Sequence, residues 1–154
     1  MTKPTDYETM CEQLTALLES ETDPIINMAN TSALLFVGME DVNWAGFYRL
    51  IGGQLVLGPF QGRPACTRID IGRGVCGTVA KTGVPILVED VKEFPGHIAC
   101  DPTSRSELVV PIKKGDRLFG VLDLDSPTPG RFKDEDRTGI EKIIQAFINA
   151  TNLT

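Results

Sequence analysis

Residues 106–125 read SELVVPIKKGDRLFGVLDLD, and this stretch decides the fold. It contains two strand-forming runs, residues 106–112 and 117–125, on either side of a tight turn at Lys114-Gly115-Asp116. Two such runs around a short glycine-containing turn are typical of an antiparallel hairpin. The sequence therefore predicts a sheet that is assembled from consecutive hairpins.

The rest of the chain adds helices and further strands to this hairpin. A second hairpin is predicted over residues 44–57, because Gly52-Gly53 separates two strand-like runs. Helix signals and apolar spacing predict helices over residues 7–19, 24–36, 74–82 and 134–150, and short strands are expected over residues 68–71 and 85–89. We expect a single α+β domain over residues 1–154, with an ordered core over residues 6–151. Its antiparallel sheet has about six strands, with helices packed on one side and loops covering a pocket on the other.

Composition and charge exclude several classes of partner. The 154 residues carry a formal net charge of −6, which argues against a nucleic-acid surface or an anionic membrane as partner. The first residues, MTKPTDYETM, lack the apolar segment of a secretory signal, and no apolar run is long enough to span a membrane. We expect a cytoplasmic protein, in which permanent disulfides are rare and transient catalytic ones are the usual exception.

Three of the four cysteines lie in turn-rich segments. Cys66, Cys76 and Cys100 occur in GRPAC, GRGVCG and PGHIACDPTS, and loops of this kind present reactive side chains. Their spacing lacks the short chelating loops of structural zinc sites, so no metal site is expected. Cys11 falls on the apolar face of the first helix, where we expect it to pack. The pattern predicts a thiol reductase or a redox sensor.

Two carboxylates share one face of the last predicted strand. Side chains alternate across a strand, so Asp123 and Asp125 point to the same side. The ordinary interpretation is a solvated sheet face. Glu107 begins the neighbouring strand and would add a third acid beside the Cys100 segment. Three converging acids suit a ligand with a positive charge, such as an α-amino group, and crowded carboxylates also retain a proton that they can donate.

Trp44 and Tyr48 lie four residues apart on one face of the first predicted strand. Aromatic residues in strands most often pack in a core. Beside three acids and a thiol, however, they would form an aromatic wall for a small ligand that is partly apolar and partly cationic. His97 stands three residues before Cys100 and either lowers the pKa of that thiol or is simply solvated.

Several motifs resemble those of one known family. The segments NWAGFYRL, QGRPACTRIDIGRGVCGTVAKTG, HIACDPTSRSELVVPI and GVLDLDSP are similar to the free methionine-(R)-sulfoxide reductase family, whose members are single GAF domains. The similarity covers nearly the whole chain from Asp6 onward, and Cys11 lies outside the family pattern. By position, the matches are the nucleophile (Cys100), the other two cysteines of the cycle (Cys66 and Cys76), the acids that hold the substrate (Glu107, Asp123 and Asp125) and aromatic pocket residues (Trp44 and Tyr48).

The resemblance implies an oxidoreductase that binds no cofactor. The Cys100 thiolate would attack the sulfoxide sulfur while a carboxylic acid protonates the departing oxygen, which yields methionine and a Cys100 sulfenic acid. A second cysteine would then close a disulfide, and thioredoxin as electron donor would reduce it. The acids would hold the α-amino group of free methionine-(R)-sulfoxide, and a peptide-linked residue has no such charge. The resemblance also implies a homodimer.

Two questions stay open at this level. Either Cys66 or Cys76 resolves the sulfenic acid. Cys76 lies at the start of a predicted helix, whose dipole favours the thiolate but whose rigidity fixes the position of the sulfur. Cys66 lies in a glycine- and proline-containing loop that can bring its sulfur to Cys100. This mobility favours Cys66. The alternative function is a non-catalytic GAF sensor of oxidants or small ligands, although no output domain is predicted.

Overall fold

The computed structural model describes residues 2–97 and 101–154. Within these ranges the helices are α1 (Tyr7–Leu17), α2 (Pro24–Gly38), α3 (Gly74–Thr82) and α4 (Asp134–Ala150), and a short 3-10 helix covers Val91–Glu93. The strands are β1 (Trp44–Ile51), β2 (Gln54–Gly62), β3 (Arg68–Asp70), β4 (Ile86–Val88), β5 (Ser106–Lys114) and β6 (Arg117–Ser126). None of the helices in these ranges combines the length and the apolarity that crossing a membrane would need.

The six strands form one sheet in the order β3-β2-β1-β6-β5-β4, and every neighbouring pair is antiparallel. The predicted hairpin of β5 and β6 is confirmed, with Lys114 paired with Arg117 across its turn. The hairpin of β1 and β2 turns at Gly52 and Gly53, whose φ angles of 59° and 76° lie in the left-handed region. Glycine adopts this region without steric cost, so these two residues fix where the hairpin turns.

Strand β2 is five residues longer than predicted. The prediction ended it at residue 57, before Gly58-Pro59, whereas its pairing with β1 continues until Trp44 meets Gly62. A shift of register between Gly46 and Tyr48 on β1 accommodates the irregular segment without ending the ladder. As a result, the end of β2 lies beside the start of β1.

Three helices pack on one face of the sheet. α2 packs on β1 and β2, α4 packs on β5, and α1 lies against α4 and α2. Together they bury a core that includes Leu14, Leu35, Phe47, Leu122 and Phe147. Burial of a side chain of this size contributes roughly 1.5–3 kcal/mol. The helical core therefore supports the sheet on this face and keeps the strands in fixed positions.

Helix α3 lies on the opposite face. Its residues Val75 and Val79 belong to a second core with Leu55, Ile69 and Val109. The α+β sheet of six antiparallel strands is confirmed, and the helices divide three to one between its faces. α3 and the segments between strands together border a pocket on this second face.

Candidate active site

A cavity opens on the face of the sheet that carries α3. Its empty volume is about 560 Å³, including its solvent-filled mouth. Strands β1, β5 and β6 supply the floor, and the first turn of α3 and the segments before β3 and β5 supply the walls. Six residues that the sequence singled out line this one cavity: Trp44, Tyr48, Cys76, Glu107, Asp123 and Asp125.

Three carboxyl groups meet on the floor. Glu107 of β5 pairs in register with Asp125 of β6, and Asp123 lies two residues earlier on the same face of β6. The three residues are only 5%, 7% and 9% exposed, in the order Glu107, Asp123 and Asp125. Strand alternation predicted the shared face, and the pairing of β5 with β6 adds the third acid. The interpretation as a solvated sheet face is wrong, because the acids are buried.

Burial and mutual repulsion keep protons on these acids. Burial, followed by the negative charge of Asp125, raises the pKa of Glu107 to about 8. Burial also raises the pKa values of Asp123 and Asp125 well above their usual range, and the neighbouring carboxylates raise them further. Asp123 interacts closely with both other acids, and carboxyl groups in such contact need a proton between them, because two carboxylates only accept hydrogen bonds. At neutral pH the acid cluster therefore retains at least one proton.

An aromatic wall adjoins the acids. The ring of Trp44 stacks on Phe60 at 5.1 Å between centroids and lies 6.0 Å from the ring of Tyr48. A Cβ atom added at Gly46 would collide with both Phe60 and the Trp44 ring, so only glycine leaves room for this stack. The indole N–H of Trp44 donates to the carbonyl oxygen of Arg63 at 3.1 Å and fixes the ring plane.

The cysteines differ in their state. Cys76 is a buried free thiol in the first turn of α3, and its Sγ lies within 4.8 Å of a carboxylate oxygen of Asp123. Burial, followed by the charges of Asp123 and Glu107, raises its pKa. The expectation of a favoured thiolate at this helix start is therefore wrong, because burial and the adjacent acids favour the neutral thiol. Cys66 is disulfide-bonded. Cys100, the predicted nucleophile, lies outside the described residues.

Tyr48 connects the cavity floor to the Cys66 segment. Its hydroxyl donates to the carbonyl oxygen of Cys66 at 2.8 Å. The sequence predicted Tyr48 as a pocket aromatic, and the structure adds this tether to the backbone. Cys11 packs against the core on the helical face, as its position on α1 predicted.

The cavity also has a positive side, which no motif in the sequence indicates. Gly74, Val75 and Cys76 line it at the start of α3, and no side chain caps this helix. The first N–H groups of a helix have no intrahelical acceptor and carry partial positive charge. Arg73, the residue before the helix, lines the cavity as well. The segment GRG at residues 72–74 marks a helix start in the sequence, but nothing local shows that this start faces three acids.

His97 also faces the acids. Its Nε2 lies 3.7 Å from Oε1 of Glu107, beyond hydrogen-bond distance, and its side chain is 16% exposed. Burial lowers its pKa, so the imidazole is neutral at pH 7. His97 is therefore only partly solvated, and its effect on the Cys100 thiol stays a prediction. Beside it, donor atoms of Cys76, Glu107 and Asp123 all lie within 4.8 Å of one another.

Comparison with known proteins places this site in a family. The model of the GAF domain matches residues 7–150, which is most of the chain. The free methionine-R-sulfoxide reductase of Escherichia coli (strain K12) is 48% identical over 144 residues, which cover 94% of this chain and 87% of that relative. The structure of fRMsr of Staphylococcus aureus in its reduced form matches with a TM-score of 0.94 at 45% identity and covers 97% of both chains.

A third match carries a ligand. The X-ray structure of free methionine-R-sulfoxide reductase from Neisseria meningitidis in complex with its substrate has a TM-score of 0.91 and 38% identity, and it covers 97% of this chain and 93% of that one. The chain belongs to the free methionine-R-sulfoxide reductase family. It is thus a GAF-domain protein from a family of oxidoreductases.

Most residues that the resemblance to the reductase family singled out are close together in space. The acids and aromatics line one cavity with Cys76, and Cys66 directly follows the lining residues Pro64 and Ala65. The roles that the family pattern implies for these residues stay predictions, as does the role of Cys100.

Proposed function

We propose that this protein reduces free methionine-(R)-sulfoxide to methionine. The observation that carries the proposal is the buried acid cluster of Glu107, Asp123 and Asp125 beside the aromatic wall. Among the described residues, no ion pair brings a lysine or an arginine to these acids. Buried carboxylates are costly without a positive partner, and the α-ammonium group of an amino acid supplies one.

A free amino acid also carries an α-carboxylate, and the cavity contains groups that can bind it. The first-turn N–H groups of α3, at Gly74 and Val75, and the Arg73 side chain form a site suited to a carboxylate. The apolar part of the ligand packs on the rings of Trp44 and Tyr48. A methionine sulfoxide within a peptide has neither charge, because both groups have become amides. The charges of the cavity therefore support selection of the free amino acid.

The reaction transfers the sulfoxide oxygen to a thiol. In the proposed step, the Cys100 thiolate attacks the sulfoxide sulfur and a protonated carboxyl group of the floor gives its proton to the oxygen. The attack joins the two sulfur atoms, and the protonated oxygen leaves the substrate sulfur as hydroxide. Hydroxide then bonds to the Cys100 sulfur, the sulfur–sulfur bond breaks with its electron pair going to methionine, and Cys100 becomes a sulfenic acid. The raised pKa of Glu107, about 8, supports the presence of such a proton at neutral pH.

Cys66 is the proposed partner that resolves the sulfenic acid. Its thiol attacks the sulfur of the sulfenic acid, a disulfide forms, and the hydroxyl group leaves as water. The disulfide-bonded state of Cys66 and the free thiols of Cys11 and Cys76 support this choice over Cys76. Burial and the raised pKa of Cys76 also disfavour the thiolate that an attack requires.

Recycling completes the proposal. A dithiol protein, thioredoxin, reduces the disulfide and restores both thiols. We further propose that the enzyme is cytoplasmic, where such reductants are kept reduced, and that it is a homodimer. Size-exclusion chromatography with light scattering tests the homodimer independently of activity.

The test is a coupled assay that follows NADPH oxidation with thioredoxin and its reductase. Free methionine-(R)-sulfoxide is expected to be turned over, whereas the N-acetylated sulfoxide, which has no ammonium group, is not. Cys100→Ser is expected to lose activity with thioredoxin and with dithiothreitol, and Cys11→Ser is the control that retains it. Equal turnover of both substrates would contradict the role of the acid cluster. Tight binding of the free sulfoxide without any turnover by the wild type would favour the sensor function instead.

A further inference from the structure

We propose that Cys76, Glu107 and Asp123 form a binding site for a zinc-class divalent cation, with His97 at its edge, and that the cation and the amino-acid ligand exclude each other. The second half rests on the proposed function, because it assumes that the acids hold an ammonium group. The first half depends only on the geometry of the cavity.

The donor atoms are close enough to bind one ion. The Sγ of Cys76 and one carboxylate oxygen each from Glu107 and Asp123 lie within 4.8 Å of one another, and all three residues are buried. Zinc binds sulfur and oxygen at about 2.0–2.3 Å in tetrahedral geometry, which places two donors on one ion roughly 3.3–3.8 Å apart. Small side-chain rotations therefore suffice to bring the three donors onto a common ion.

An unsatisfied oxygen gives independent support for a ligand. Oδ1 of Asp123 is buried and has no hydrogen-bond donor among the described residues, in a residue that is 7% exposed and lines the cavity. Buried polar atoms are rarely left in this state, because desolvation costs free energy that only a partner returns. A cation at this oxygen supplies that partner.

The chemistry of the donors favours zinc over calcium or magnesium. A thiolate with carboxylates and a nearby imidazole is the mixed sulfur, oxygen and nitrogen set that zinc accepts, whereas calcium and magnesium take oxygen ligands alone. On binding, the cation forms a bond to Cys76 Sγ and displaces the thiol proton to water. Nε2 of His97 lies 3.7 Å from Oε1 of Glu107 and outside the group of three donors, so it stands at the edge of the site.

The spacing of the cysteines in the sequence does not reveal this site. The donors come from three separate elements, namely α3, β5 and β6, so no short chelating motif marks them in the sequence. The expectation of no metal site was based on the absence of closely spaced cysteine pairs. The site that we propose has one cysteine and needs the tertiary fold.

Cobalt(II) is the probe for the first half of the proposal. The protein is used in its disulfide form, in which Cys66 is bonded and Cys11 and Cys76 are free thiols. One equivalent of cobalt is expected to give a thiolate-to-cobalt charge-transfer band, and zinc is expected to abolish this band. Cys76→Ser removes the band, Glu107→Gln and Asp123→Asn weaken cobalt binding by about tenfold or more, and Cys11→Ser changes nothing.

Several outcomes overturn the site. They are a wild type without the band, a band that persists in Cys76→Ser, and a band that is lost in Cys11→Ser. Cys76→Ala serves as a second variant, and near-UV circular dichroism of both Cys76 variants shows that loss of the band is not loss of fold.

Free methionine, the proposed product, tests mutual exclusion. It is expected to displace cobalt and remove the band, whereas N-acetylmethionine leaves the band in place. A band that survives methionine concentrations that saturate the metal-free protein by calorimetry overturns mutual exclusion. Failure of methionine to bind the metal-free protein counts against the proposed function and against exclusion, while the cobalt band still decides the metal site.

Discussion

Glu107 and Asp125 occupy directly paired positions on β5 and β6, and both side chains are buried on the cavity floor. Like charges at paired positions of an antiparallel sheet destabilise it, and burial adds a further cost. The pair is tolerated either because a proton remains on it or because a cation occupies the cavity. The binding of a positively charged ligand and the ionisation of this pair are thus one linked equilibrium.

Replacing any of the three floor acids by its amide is expected to raise KM and to lower kcat. Glu107→Gln, Asp123→Asn and Asp125→Asn each remove a charge-assisted hydrogen bond that contributes on the order of 1.5–3 kcal/mol, or about tenfold to a hundredfold in kcat/KM. Asp116→Asn, in the exposed turn between β5 and β6, makes the same change of charge outside the cavity and serves as the control. Unchanged kinetics in all three floor variants would show that the acids do not meet the substrate.

The stability of the ligand-free protein is expected to fall as the pH rises from about 4.5 to about 8. The pKa of Glu107 is about 8 in the folded protein, against an ordinary value of 4.5. A raised folded-state pKa gives stability that is fully present below the unfolded value and lost as the pH rises through the folded value, at no more than about 1.4 kcal/mol per pH unit for one proton. Urea unfolding at several pH values measures the slope.

Glu107→Gln is the matched variant for that slope. Because glutamine does not titrate, the fall in the free energy of unfolding over this pH range is expected to become shallower. An identical slope in wild type and variant would mean that Glu107 ionises normally in the folded protein.

Tyr48→Phe is expected to slow disulfide formation more than methionine release. The variant retains the ring beside Trp44 and loses the hydrogen bond to the Cys66 carbonyl, which contributes about 0.5–1.5 kcal/mol, or roughly twofold to tenfold in a rate that depends on it. Rapid quenching after one turnover measures methionine and free thiols separately. Tyr7→Phe removes a hydroxyl bonded to Asp136 on α4 and is the control, expected to change stability but not this ratio. Equal slowing of both steps by Tyr48→Phe would count against a positioning role.

Cys66→Ser is expected to block disulfide formation, and Cys76→Ser is expected to permit it. Mass spectrometry after one equivalent of sulfoxide, without reductant, should show a Cys66–Cys100 bridge in the wild type and in Cys76→Ser. In Cys66→Ser the bridge and the thioredoxin-dependent turnover are expected to be lost together. A bridge between Cys76 and Cys100 alone in the wild type, with full activity of Cys66→Ser, would reverse the assignment.

Much of the fold and the cavity floor was predictable because the signals are local. Alternation along a strand places Asp123 and Asp125 on one face, and a short turn brings β5 beside β6 with Glu107 next to them. Trp44 and Tyr48 follow the same rule on β1. Once the strands and their pairing are predicted correctly, these residues are expected to lie close together.

The walls of the cavity were not predictable in the same way. The contact of Cys76 with Asp123 depends on α3 packing on the face opposite the other helices, and this follows from long-range contacts. The environment of Cys76 also reversed the expected direction of its pKa, because burial depends on what covers a residue. The extension of β2 depends on a change of register in its pairing with β1, and no single residue in the sequence predicts that change.

The acids and aromatics stand on strands that the helical core supports from behind, whereas Cys66 lies in a connecting segment between β2 and β3. The cavity floor and the Cys66 segment are thus separate parts of the molecule. Because the cavity floor and the Cys66 segment belong to different elements, one can be altered without rebuilding the other. If the cavity binds a free amino acid as proposed, a version without the thiols would keep that binding without turnover and could serve as a biosensor for it.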